Sequence, residues 1–259
     1  MSAQVNRADL EGKVKAMYRD VAENPNGEFH FEMGRALAER LGYRPADLDR
    51  IPAESIESFA GVGYYFHLLG DMEGARVLDL GSGSGMDTFI ASRTVGPTGT
   101  VIGLDMTDSQ RAKAESLRQR DGFRNVTCVK GYIDSAPFED GSFDVIISNG
   151  VINLAVDKPQ VFREVARLLR PGGTMAIADI VTDVLLPESI SCNTTLWAAC
   201  IGGAWQVQRY KDAIEAAGLR FVAEQANDSY RFISDNAQGA TKKFGVRSIS
   251  LRADKTSRI

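Results

Sequence analysis

Apolar positions recur along this chain with two different periods. Between residues 8 and 22, Leu10, Val14, Met17 and Val21 return every three or four positions, the period of a helix with one apolar face. Asn24-Pro25-Asn26-Gly27 then reads as a turn. A second helix is expected over 31–41, ended by Gly42 and followed by Pro45, and 47–60 is mixed, with Pro52 as a helix start. From Arg76 onward, short apolar runs alternate with amphipathic ones. The runs 77–80, 100–104, 126–129, 143–147 and 175–180 read as strands. Helices are expected between them: from the glycine turn 81–85 through Val95, over 107–120, and over 161–169, where Pro171-Gly172-Gly173 stops the last. Such alternation predicts an α/β fold with a mostly parallel sheet and helices on both faces. An irregular apolar stretch follows at 183–205, then a helix near 207–217. Strand-like runs at 219–225 and 244–252 carry the alternation (Val246, Ile249, Leu251) of antiparallel strands at a sheet edge.

Composition narrows the function classes. The chain has 259 residues, and 30 basic against 34 acidic side chains leave a net charge of −4. That balance argues against nucleic-acid binding by bulk charge and offers no attraction to anionic membranes. No apolar run reaches the ~18 residues of a membrane span, and the N-terminus lacks the apolar core of a signal peptide. Three cysteines are too few for a disulfide framework, so a reducing cytoplasm is the expected compartment. With two histidines besides, no metal cluster is expected. Assembly is open between monomer and homodimer.

The chemistry is concentrated after the first strand, in Asp79-Leu80-Gly81-Ser82-Gly83-Ser84-Gly85. A buried strand delivers the chain to a glycine turn, which lets a ligand approach the backbone, and the next helix presents its N-terminus there. The spacing is GxGxG rather than the dinucleotide GxGxxG. Asp79 would repel a pyrophosphate but suits a ligand bearing an amino group. The second strand ends in Asp105, placed to accept from both hydroxyls of a ribose, with Met106 beside it. Ile133 and Asp134 follow the third strand and would flank an adenine, and Asn149 ends the fourth.

These motifs, with Pro137-Phe138 and Leu169-Arg170-Pro171-Gly172-Gly173, resemble the class I S-adenosylmethionine-dependent methyltransferases over about residues 76–181. The resemblance implies a Rossmann-like fold with a mostly parallel seven-stranded sheet and S-adenosyl-L-methionine as cofactor. It implies Asp79, Gly81, Ser82, Gly83, Gly85, Asp105, Met106, Ile133, Asp134 and Asn149 as cofactor residues, and a small-molecule acceptor. Residues 1–70 would be a helical lid, 71–182 the cofactor core, and 183–259 the acceptor insertion with the terminal strands, in one compact unit.

A narrower resemblance, over about 50–220, is to the arsenite methyltransferases. It rests on Phe59-Ala60-Gly61-Val62-Gly63, Gly103-Leu104-Asp105-Met106-Thr107, Ser148-Asn149-Gly150-Val151-Ile152-Asn153-Leu154 and Cys200-Ile201-Gly202-Gly203-Ala204. That family is understood to hold trivalent arsenic between cysteine thiolates, suited to a soft metalloid. At two of the three motif positions this chain has Val62 and Gly150, and only Cys200 remains. Cys192 lies near enough in sequence to stand in, and Cys128 falls on the third strand, where a core position is expected. The resemblance therefore implies the cofactor with an altered acceptor: a thiol, an arsenical or another small metabolite. A carbon- or oxygen-methylating enzyme of quinone or natural-product biosynthesis is the second reading. A non-catalytic S-adenosylmethionine-binding protein is the third.

Candidate catalytic residues are Cys200 and the histidines, His30 in Phe29-His30-Phe31 and His67 after Tyr64-Tyr65-Phe66. A histidine among aromatics is also an ordinary packing residue. Tyr18, Tyr64, Tyr65, Trp197 and Trp205 are candidates for the acceptor wall, where an aromatic face attracts a sulfonium.

Overall fold

The structure, a computed structural model, describes residues 6–191, 197 and 201–257. Helix α1 (Arg7–Glu23) opens on Asn6, whose side-chain oxygen accepts from the Asp9 N–H at 3.1 Å. Its stripe Leu10, Val14 and Val21 is buried. Three short helices follow: α2 (Arg35–Leu41), α3 (Pro45–Leu48) and α4 (Ala53–Glu57). Helix α2 starts later than expected because Gly34 turns the chain at φ +85°. Phe29, His30 and Phe31 stay in the loop before it, with the two phenyl rings stacked 5.6 Å apart.

The strands are β1 (Arg76–Leu80), β2 (Thr100–Asp105), β3 (Val126–Lys130), β4 (Phe143–Asn149), β5 (Leu169–Thr182), β6 (Trp205–Gln206), β7 (Leu219–Ala226) and β8 (Arg247–Lys255). Seven of them lie in the order β3-β2-β1-β4-β5-β8-β7, and the two-residue β6 pairs with β5. The first five are mutually parallel; β8 runs antiparallel to β5 and β7 to β8. Period-two alternation divides the core between the two faces. Val77, Val145, Ile147, Ala176 and Ala178 pack on one side with α5 (Met86–Val95). Leu78, Ile146, Met175 and Ile177 pack on the other with α7 (Lys158–Leu168) and α9 (Val207–Ala216). In chain order α6 (Asp108–Arg120), which packs against α1, lies between α5 and α7, and the one-turn α8 (Glu188–Ser191) between α7 and α9.

Two expectations need correction. The run at 244–252 is not all strand: Phe244 ends a helix, α10 (Asp235–Phe244), and β8 begins at Arg247. Gly239 weakens that helix as a sequence signal, while Ala240 and Phe244 anchor it on the core. Pro171-Gly172-Gly173 does not separate α7 from its strand either. It is absorbed into β5 as an irregular stretch, with Gly172 at φ +79° and a register shift opposite Phe143 and Val145. Among the described residues, no helix is long and apolar enough to cross a membrane.

Candidate cofactor and acceptor site

Strand order reverses between β1 and β4, and the crevice at their C-terminal ends is where open α/β sheets bind ligands. A cavity of about 170 Å³ lies there, more than ten times the roughly 10–15 Å³ a single water occupies. Its cofactor side is built by backbone geometry. Gly81, Gly83 and Gly85 all have positive φ, at +70°, +54° and +94°. At Gly81 an added Cβ would lie 2.5 Å from a Val151 methyl, so only glycine fits. Asp105 pins the turn from the neighbouring strand. One carboxylate oxygen accepts from the Gly83 N–H at 2.9 Å and the other from the Thr107 N–H at 2.7 Å.

Three carboxylates line this cavity while nearly withdrawn from solvent: Asp79, Asp87 and Asp105. Burial pushes each above the ordinary carboxylate range, and for Asp79 the nearby Asp87 adds to the rise while a 2.6 Å bond from Thr88 Oγ1 opposes it. A crevice with this charge favours a cationic ligand.

Asp87 also ties the two sides together. It accepts from Tyr43 Oη and Tyr65 Oη, each at 2.7 Å, and from Asn149 Nδ2 at 3.1 Å. Asn149 in turn holds the 61–63 segment, accepting from the Val62 N–H at 2.8 Å and donating to the Gly63 carbonyl at 3.0 Å. Burial raises both tyrosines well above a free phenol, so they stay donors. The acceptor side is apolar: Phe59, Val151, Leu154 and Val156 line it, and α1 roofs it with Leu10, Val14 and Tyr18. Polar bonds fasten the roof at its edge, from Arg7 to Asp134 at 2.7 Å and from Tyr132 Oη to Glu11 at 2.7 Å.

Of the residues expected from sequence, the structure gathers Asp79, Gly81, Ser82, Gly83, Asp105, Met106, Ile133, Asp134, Asn149 and Tyr18 on this cavity. Gly85 stands behind the lining as the residue that starts α5. Tyr65 reaches the wall only through Asp87. Tyr64 packs between Tyr43 and His67, off the cavity. His67 is exposed and donates Nε2–H to Gln225 at 2.7 Å, and His30 sits edge-on to Phe31, so neither histidine lines the cavity. Trp197 is buried behind the wall, donating Nε1–H to the Asn153 carbonyl at 2.7 Å, and Trp205 lies further back under Arg209. Cys192 and Cys200 lie outside the described residues. Cys128 is half-buried at the core's edge, and burial together with Glu115 pushes its thiol up to about 11.

Asp87 and Tyr43 carry the network but escape a sequence reading. Asp87 falls in the first turn of a helix, where an acid already has an ordinary reason to be. Tyr43 lies between two helices and meets Asp87 only in three dimensions.

Residues 71–218 match a family model described as a methyltransferase domain. An arsenite methyltransferase of Halobacterium salinarum is 38% identical over 199 residues, 76% of this chain and 51% of that protein. A demethylmenaquinone methyltransferase of Lactococcus lactis is 37% identical over 105 residues, 40% of this chain and 42% of that protein. The chain spans about half the length, or less, of the curated relatives it matches. The crystal structure of an arsenic(III) S-adenosylmethionine methyltransferase from Chlamydomonas reinhardtii superposes with a TM-score of 0.65 at 30% identity, covering 87% of this chain and 75% of that one.

Proposed function

The chain belongs to the methyltransferase domain family, and from that premise we propose that it methylates a small acceptor with S-adenosylmethionine. The observation that carries the reading is Asp105. Its oxygens accept from the Gly83 and Thr107 N–H groups and from the Thr107 side chain, and the carboxylate still lines the cavity with acceptor capacity left for ribose hydroxyls. The remaining donor set fits the same cofactor. Asp79 and Asp87 match its positive charges, Ile133 and Asp134 an adenine, and the positive-φ glycines leave room where a Cβ would fill the cradle.

When bound, S-adenosylmethionine supplies an electrophilic methyl carbon, displaced in line by an acceptor lone pair. The protein's part is placement. Asn149 and Asp87 fix the 61–63 segment against the cofactor side, and the α1 roof with Phe59, Val151 and Leu154 keeps water from the acceptor. An acceptor whose lone pair is already free needs no base.

The acceptor itself follows from the wall. An added Cβ at Gly150 would lie 3.3 Å from a Val62 methyl, so these two positions are neighbours beside the cavity, and neither carries a thiol. That supports a small neutral acceptor which brings its own nucleophile, a thiol or a reduced arsenical, in keeping with the Halobacterium and Chlamydomonas relatives. The apolar wall and the Lactococcus relative favour a second reading, a quinol-type carbon or oxygen acceptor, for which Asp87 is a buried carboxylate on the cavity.

Calorimetry with S-adenosylmethionine followed by transfer of a labelled methyl group tests both. The acceptors are arsenite with glutathione, simple thiols, phenols and quinols. No binding at millimolar cofactor defeats the proposal outright. Transfer to quinols alone selects the second reading, and tight binding with transfer to nothing identifies a cofactor-binding protein without catalysis.

A further inference from the structure

Lys158 is a lysine with no solvent exposure at the first position of α7. Three features of that place disfavour a cation. Burial opposes the charge, the helix's positive end opposes it, and Arg209 lies close enough to push its pKa down further. What holds the ammonium there is a purpose-built cage. Nζ donates to the carbonyls of Asn153 and Ala155, both at 2.9 Å. The ring centroids of Trp197 and Trp205, the chain's only two tryptophans, stand 5.2 and 5.4 Å away. Asp179 of β5, itself buried, supplies the opposite charge.

The cage controls one loop. Asn153 has its N–H bound by Asp179 Oδ2 at 2.9 Å, and its carbonyl bound by both Lys158 and Trp197 Nε1. Tyr210 Oη fixes Asp179 from α9 at 2.7 Å. Gly203 closes the back: a Cβ there would sit 1.7 Å from Trp197 Nε1 and 2.0 Å from the Asn153 oxygen. The loop so held presents Val151, Leu154, Ala155 and Val156 to the cavity. Trp197 in turn clusters with Leu10 and Val14 of the roof.

We propose that Lys158 is a positioning residue for the acceptor: without touching any ligand, its ammonium sets the 151–157 loop and the Trp197 support of the roof in the shape the acceptor packs against. This rests on the reading of the cavity as a methyl-transfer site. The groups facing Lys158 are Asp179 from β5 and Arg209 and Tyr210 from α9. Burial pushes Lys158 down from the ordinary lysine value and Asp179 up from the ordinary carboxylate value, so the wall is sensitive to pH. Because both tryptophans flank Nζ, tryptophan emission, excited where tyrosine does not absorb, reports on this cage.

The test compares wild type with Lys158→Met, which keeps the length of the side chain, and with Lys158→Arg, which keeps the charge. Wild-type emission should titrate with a midpoint well below that of free lysine, and Lys158→Met should lose that step. The Asn153 amide should exchange at least tenfold faster in Lys158→Met, while calorimetric affinity for S-adenosylmethionine stays within twofold. With arsenite and glutathione as the acceptor mixture, KM should rise at least tenfold with kcat within threefold, and Lys158→Arg should recover part of it. An emission step with the wild-type midpoint that persists in Lys158→Met and also in Lys158→Met/Asp179→Asn overturns the proposal. So does a loss of cofactor affinity equal to the rise in acceptor KM, which would mark a merely structural residue. If wild type does not methylate arsenite, that acceptor is wrong, and emission and exchange still decide the role of Lys158. If Lys158→Met fails to fold, the doubly discharged Lys158→Met/Asp179→Asn variant is judged by the same readouts.

Discussion

The two sides of the cavity are built on different principles. On the cofactor side, the ligand-facing groups come from consecutive residues at strand ends, and their geometry is set by backbone: positive-φ glycines, and an aspartate whose bonds go to N–H groups at positions 83 and 107. On the acceptor side, the wall is assembled from α1, the 59–63 segment and the 151–157 loop, with Trp197 behind them, all distant in sequence. Two buried polar clusters hold these pieces, one around Asp87 and Asn149, the other around Lys158 and Asp179. A half whose shape is set by backbone depends on a few local positions, its glycines and one aspartate. A half held by side-chain networks can be altered one residue at a time, which is where a family would vary its acceptor while keeping its cofactor.

Asp105→Ala should break this division most severely. It removes the anchor of the glycine turn at Gly83, the bond to Thr107 and the proposed ribose acceptors, and losing hydrogen bonds to a charged group at about 1.5–3 kcal/mol each predicts a fall in S-adenosylmethionine affinity of about a hundredfold or more. Calorimetry giving a Kd within threefold of wild type would remove Asp105 from the cofactor. Gly81→Ala should weaken binding as well, since it forces a left-handed residue with a Cβ against Val151.

Asn149→Ala addresses the joint between the halves. It leaves the Val62 N–H and the Gly63 carbonyl without their partner, at a cost of about 2 kcal/mol in urea denaturation. Turnover should drop about tenfold while cofactor affinity falls only a few-fold. Equal losses in both would mean that the two sides are one unit.

The same contrast explains what the sequence could reveal. The order of β1 to β5, the glycine turn, Asp79 and Asp105 are legible because each is local: a period of two, a positive-φ residue, an acid at a strand end. The Asp87 network is not legible, because Tyr43, Tyr65 and Asn149 converge on Asp87 from separations of 44, 22 and 62 positions. The aromatic residues chosen for the acceptor wall illustrate the limit. Tyr18 lines the cavity, whereas Trp197 and Trp205 stand one shell behind it around a lysine that composition alone makes look like a surface residue. Helix α10 was hidden because packing of Ala240 and Phe244, rather than propensity, forms it.

A pH series sharpens the electrostatic side of the comparison. Burial raises Asp79, Asp87 and Asp105 above the free value of 3.8. Between that value and the raised ones, the folded chain binds more protons than the unfolded chain. Stability of the ligand-free protein therefore declines as pH rises through that window. A cationic ligand needs the ionised carboxylates, so its binding should release protons and tighten as pH rises from the free carboxylate value through the raised ones. Calorimetry in buffers of different ionisation enthalpy measures the proton count, and net uptake would refute the assignment of these acids to a cation.

The roof gives the smallest expected effect and the finest test. Arg7 joins Asp134 at 2.7 Å, but its side chain is 60% exposed, so solvent and salt screen the pair. Arg7→Ala should change cofactor affinity by no more than about twofold, because the apolar underside of α1, Leu10 and Val14, holds the helix down by itself. What the substitution should move is rate. With one edge bond gone, α1 has less to break before the cavity opens, so stopped-flow association and dissociation of S-adenosylmethionine should both quicken while their ratio hardly changes. If affinity instead falls tenfold with dissociation alone accelerated, Arg7 acts on the bound cofactor directly, and α1 belongs with the cofactor side of the site rather than with the acceptor wall.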